Sequence, residues 1–116
     1  MAWDEGLAQL MRDDLAAEMI VERKMFGGLA FLLNGHMVGG IHKDGAMFRV
    51  GKQNTEAALA ITGTSPLQFT GKPMAGMIDC SDAAFADDRR RGQLMDLALD
   101  HVKSLPPKVA KPDNLR

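Results

Sequence analysis

A chain of 116 residues, 46% hydrophobic and 25% charged, fits one domain and can bury a core without disulfides or a structural metal. Its net charge of −1 creates no global attraction to nucleic acid or to a membrane surface. The single cysteine, Cys80, excludes an internal disulfide, and nine methionines with no tyrosine favour adaptable apolar contacts.

The first predicted element is a helix from Asp4 to Glu22. Leu7, Leu10, Met11 and Leu15 share one face, and Arg12, Asp13 and Glu18 fall off it. Asp4 and Glu5 suit the positive end of the helix dipole, and Arg23-Lys24 the other end. Gly28 to Leu33 then reads as a strand. Asn34-Gly35 is a strong signal for a two-residue hairpin, because a type I′ turn needs positive φ at both positions. His36 to His42 is the partner strand, Lys43-Asp44-Gly45 a second turn, and Ala46 to Val50 a third strand. Asn54 or Thr55 caps a short helix, Glu56 to Ile61, which Gly63 ends. Pro66 and Pro73 divide the following stretch into two extended pieces around Thr70-Gly71. A last helix runs from Asp82, with Leu94, Leu97, Ala98, His101, Val102 and Leu105 on one face, until Pro106-Pro107 stops it.

This order, α-β(3)-α-β(2)-α, defines an α+β fold: an antiparallel sheet with helices packed on one face. Residues 1–107 are expected to form the single domain, and 108–116 a flexible tail. Phe31, Leu32, Leu33, Met37 and Val38 put apolar side chains on both faces of the sheet. The second face therefore needs cover, for which another subunit would serve. A cytoplasmic location is expected. The opening "MAWDEGLAQL" is acidic, unlike a signal peptide, the lone cysteine suits a reducing compartment, and the apolar run from Gly27 to Leu33 is too short to span a bilayer.

Chemical motifs are few. "GGLAFLLNG" lacks the G-x-G-x-x-G spacing. "GAMFRVGK", Gly45 to Lys52, resembles a phosphate loop but has five residues between its glycines, and Gln53 stands where a hydroxyl would hold magnesium. His36, His42 and His101 do not suggest a metal site. His36 and His42 could share a sheet face, yet a rise of ~3.4 Å per residue separates them by about 20 Å. Cys80, near the start of the last helix, is a candidate reactive thiol, although Asp79 and Asp82 oppose ionisation. Arg89-Arg90-Arg91 is offset by Asp82, Asp87 and Asp88, with Asp87 and Arg91 at ion-pair spacing, and reads as a solvated helix face.

"RKMFGGLAFLLNGHMVGGI", "MFRVG", "PLQFTGKPM" and "LALDHVKSLPPK" together resemble the TfoX/Sxy family, specifically its N-terminal domain. The likeness runs to about Pro107. The resemblance implies a topology similar to type III secretion chaperones. It also implies regulation of natural competence, in which two-domain relatives act with a cyclic-AMP receptor protein at promoters. This chain would be the N-terminal domain standing alone, and it has "AGMIDC" where many relatives carry tyrosines. Met25, Phe26, Gly27, Gly28 and Arg49 are the family-motif residues and the candidate interaction residues. No catalytic residue, metal or cofactor is implied. The function expected is a non-enzymatic regulatory or protein-interaction domain, with a protein partner that could be a second copy or part of the transcription machinery. The alternatives are a thiol-dependent enzyme or redox sensor using Cys80, or a weak DNA-binding accessory protein. No membrane partner is expected, and direct nucleic-acid binding is disfavoured.

Overall fold

The computed structural model describes residues 3–25, 27–68 and 73–107. The tail over 108–116 and the turn at Thr70-Gly71 lie outside the described residues.

Helix α1 spans Glu5–Asp14. The Asp4 carboxylate accepts from the Gly6 and Leu7 amides at 2.7 and 3.2 Å, closing the open end of the helix. The helix stops eight residues short of the expected Glu22. All four stripe residues, Leu7 to Leu15, fall before or just at its end. After Leu15 the apolar positions Met19, Ile20 and Val21 leave that stripe, so continued winding would turn them away from the core. Ile20–Met25 instead forms β1, an unexpected strand, paired antiparallel with β2 (Gly28–Leu33) from Ile20↔Leu33 to Met25↔Gly28. Arg12 bonds Glu22 with Nε and Nη2, at 2.5 and 2.9 Å, and ties α1 to the new strand. That bond lifts the Arg12 pKa and lowers that of Glu22.

Next come β3 (His36–His42), β4 (Gly45–Arg49), a 3-10 turn at Lys52–Asn54, α2 (Thr55–Leu59), β5 (Thr64–Gln68) and β6 (Pro73–Ser81). Asn34 and Gly35 have φ of 55° and 84°, as the predicted hairpin requires. The six strands form one antiparallel sheet in the order β1-β2-β3-β4-β6-β5. The last helix is two helices, α3 (Asp82–Ala86) and α4 (Asp88–Ser104). Asp87 breaks them: its backbone is extended and its carboxylate caps α4 through the Arg89 and Arg90 amides at 3.0 and 3.1 Å. The expected Asp87–Arg91 ion pair is therefore not formed. The α+β class holds, with one more strand and one more helix than expected.

All four helices cover one face. Ala8, Met11, Ala58, Phe85, Leu94, Ala98 and Val102 pack there on Leu29, Phe31, Val38, Ile41, Phe48 and Ile78. A bulge interrupts the β2–β3 ladder: Leu32 pairs with Met37 and Phe31 with Gly39, leaving Val38 extra. Alternation inverts at this point. His36, paired with Leu33, sits on the helix side, whereas His42 sits on the other face with Asp79. The two histidines do not share a face.

The same bulge explains Gly39-Gly40. A Cβ on Gly39 would lie 3.2 Å from Met11 Cε of α1, and one on Gly40 would lie 3.0 Å from Met47 Cε on the opposite face. Closer still, a Cβ on Gly39 would fall 2.6 Å from the Met47 carbonyl and one on Gly40 2.8 Å from the Leu29 carbonyl, so each glycine admits a neighbouring strand's backbone as well as a methionine. On the open face Met47, Leu67 and Met77 are buried with Met37 packed against them.

Candidate functional site

Two places combine accessible chemistry with defined geometry. The first is a cleft where β4 ends and β6 begins. Arg49 is the last residue of β4 and stands opposite Met77 of β6. Gly51 and Gly76, with φ of 83° and 78°, let the two chains meet backbone to backbone. The Val50 and Gly51 amides both donate to the Gly76 carbonyl, at 2.9 and 3.1 Å. The 3-10 turn then brings Lys52 and Gln53 to the rim. His101 of α4 closes the other side, with its Nδ1 3.3 Å from the Gln53 amide nitrogen. A Cβ on Gly51 would fall 2.3 Å from that Nδ1, so only glycine admits the ring here. These residues and Ala75 enclose about 300 Å³. Burial holds the His101 pKa below its ordinary value, helped by the positive Arg49 and by His36, and Asp100 opposes this.

The second place is the edge of the sheet. In β1 the side chains of Val21, Glu22, Arg23 and Lys24 are exposed. The Asn34-Gly35 turn makes Leu33 and His36 a hydrogen-bonded pair, so alternation points the backbone groups of Leu32 and Ala30 toward β1. Their partners Val21 and Arg23 point inward, and the amides and carbonyls of Ile20, Glu22 and Lys24 point outward, without a partner strand among the described residues. The opposite edge, β5, differs: Pro66 has no amide hydrogen and the register shifts beside it.

The remaining candidates do not gather into a site. Cys80 lies in β6, not in a helix, and is 1% exposed on the helix-covered face. Burial, with the Asp79 charge, pushes its thiol up to about 12, the reverse of what a reactive cysteine needs. His42 donates from Nε2 to Asp79 at 2.7 Å while Nδ1 accepts the Asp44 amide at 3.1 Å, so neither ring nitrogen is open to take a proton from a nucleophile. His36 donates from Nε2 to the Pro106 carbonyl at 2.8 Å and fastens the end of α4. Among the described residues no group of three or more His, Cys, Asp or Glu side chains could hold a metal.

The arginine run is divided by its surroundings. Arg91 is buried and bonds Asp14 at 2.6 Å, Asp88 at 2.9 Å and the Phe85 carbonyl at 3.1 Å. Arg90 lies 3.6 Å from Asp87, and Arg89 is exposed. Of the family-motif residues, Phe26 lies outside the described residues. Met25 and Gly28 close the β1–β2 ladder, and a Cβ on Gly28 would strike the Ile41 carbonyl. Those two shape the sheet, whereas Arg49 faces the cleft. Sequence reasoning missed Lys52, Gln53 and Gly76 there. The near phosphate-loop spacing ending at Gly51-Lys52 was the only hint.

An antiparallel sheet covered by helices on one face, with an unpaired edge strand, defines a small α+β domain with surfaces suited to binding. The chain belongs to the TfoX N-terminal domain family, which it matches over residues 14–102. No curated protein and no solved structure matches it. Among the described residues no helix is long and apolar enough to cross a membrane.

Proposed function

We propose that this chain is a regulatory, protein-interacting domain that recognises its partner by strand addition at β1, and that the partner is a second copy of the chain. The carrying observation is the pattern of the edge itself. Two antiparallel β1 strands can pair through the outward-facing backbone groups of Glu22 and Lys24, in a register that sets Lys24 of one copy beside Glu22 of the other, whose carboxylate also bonds Arg12 of its own α1. In that register Val21 lies opposite Met25 and extends the apolar open face. Other registers set Glu22 against Glu22 or Lys24 against Lys24. The two Arg23 side chains oppose each other and weaken the favoured pairing. Strand addition draws its affinity from main-chain hydrogen bonds. Pairing of two short strands buries little surface, which favours a weak, concentration-dependent association. A transcription-machinery partner rests on the family resemblance alone. A role without chemistry is favoured by the buried thiol of Cys80 and by the occupied ring nitrogens of His42.

Sedimentation equilibrium at rising concentration tests this. The native chain should show a monomer–dimer equilibrium. Lys24→Glu, which sets carboxylates against Glu22 on both sides of the join, should abolish it while leaving the circular dichroism spectrum unchanged. A native chain that stays strictly monomeric near its solubility limit would overturn the proposal.

A further inference from the structure

The cleft at the end of β4 gathers two cations, Arg49 and Lys52, around one concave place. Among the described residues Arg12, Arg90, Arg91 and Lys103 pair with carboxylates, whereas Arg23, Lys24, Lys43 and Arg89 do not and stand singly on exposed surface. Arg49 and Lys52 have no carboxylate within 4 Å among the described residues, although they line one small enclosure. Asp100, whose charge is felt by His101, is engaged by the Asn54 amide at 3.4 Å. The larger cleft beside α2, about 550 Å³, holds Arg89 and Arg90 but also Asp87, which offsets them.

From this we propose that the cleft binds a small molecule ending in a doubly charged oxyanion, namely a phosphate monoester of about sugar-phosphate size. Arg49 supplies a planar fork of donors that suits two oxygens of one group, and Lys52 adds a point charge. The Gln53 amide and the His101 ring, already in contact with each other, provide neutral polar groups on the facing wall. The walls keep their places without a ligand, because the Gly76 carbonyl is clamped by two amides and Gly51 seats the His101 ring. The volume, about 300 Å³, lies at the small end of ligand cavities and suits a small ligand.

The facing wall also predicts proton linkage. His101 is surrounded by Arg49, His36 and Asp100, and burial disfavours its charged form. A dianion beside it reverses that preference, so binding takes up a proton and strengthens as pH falls toward the ordinary histidine range. Gln53, its direct contact, does not titrate.

The test uses the full chain in nuclear magnetic resonance titrations with glucose 6-phosphate, malonate and sulfate. Glucose 6-phosphate should give saturable shifts confined to residues 49–53, 75–76 and 101, with a Kd near or below ~1 mM. Arg49→Gln should weaken it at least about tenfold, the loss of one charge-assisted contact. Sulfate stays a dianion through the histidine range, so its binding should tighten on acidification in the native chain and lose that dependence in His101→Gln. Malonate binding as tightly as the phosphate ester would overturn the phosphate assignment. Shifts that never saturate, or that spread to Arg89 and Arg90 and vanish at ~0.15 M salt, would overturn the site.

Discussion

Replacing Arg91 by methionine removes a buried cation and keeps most of the volume of its stem. The Arg91 side chain is 8% exposed, and Asp14 at the end of α1 is 27% exposed. Their 2.6 Å bond is charge-assisted and partly shielded, worth about 1.5–3 kcal/mol. The Phe85 carbonyl, which accepts from Nη1 at 3.1 Å, loses that donor at a cost of about 1–3 kcal/mol. Asp88 is 90% exposed, so its share is about 0–1 kcal/mol. The guanidinium also lies 5.7 Å from the centre of the Phe85 ring, a contact that the methionine sulfur partly replaces. The expected loss is about 3–5 kcal/mol, the range for breaking a buried pair from one side. Urea unfolding followed by circular dichroism measures it. A double-mutant cycle with Asp14→Asn should return a coupling of about 1–3 kcal/mol. A loss below about 1 kcal/mol, the value of a surface pair, would refute the view that Arg91 clasps α1 to the α3–α4 junction.

Two further predictions concern the sheet. A buried Cys80 should react with a thiol reagent far more slowly than the same residue in urea-unfolded chain, and equal rates would show the strand open to solvent. Its raised value carries a pH dependence: the folded thiol stays protonated while the unfolded thiol ionises from 9.0, so stability is full below about 9 and declines as pH rises toward about 12. Cys80→Ala should flatten that limb of the stability profile. Gly39→Ala places a Cβ 2.6 Å from the Met47 carbonyl and 3.2 Å from Met11 Cε, and should cost about 1–3 kcal/mol by overpacking. A neutral effect in denaturant unfolding would mean that both the β3–β4 backbone and α1 give way without loss.

Local chemistry made much of this fold legible. Asn34-Gly35 demanded a hairpin, Pro106-Pro107 stopped a helix whose apolar stripe was plain, and the glycine pairs marked the family. The misreadings arose where two patterns overlapped. Asp4 to Glu22 carried enough helical spacing to hide a strand, because β1 is an edge whose exposed charges obscure alternation. The helix from Asp82 was read as continuous, because Asp87 looks like any acidic surface residue until its carboxylate is seen capping α4.

The cleft was less legible, since its walls come from positions 49–53, 75–76 and 101, which no local pattern links. Face assignment along β3 was also hidden: one extra residue at Val38 inverts every side chain beyond it, and a bulge exists only relative to a partner strand. By itself the sequence determined the hairpin, the α+β class, the family and most element types outside β1, because turn chemistry and hydrophobic period act over a few residues. Tertiary structure decided which cations stand without counterions, that Cys80 is sealed in, that Arg91 is a buried clasp, and which sheet edge stays open. Those properties depend on burial and on distances between residues far apart in the chain.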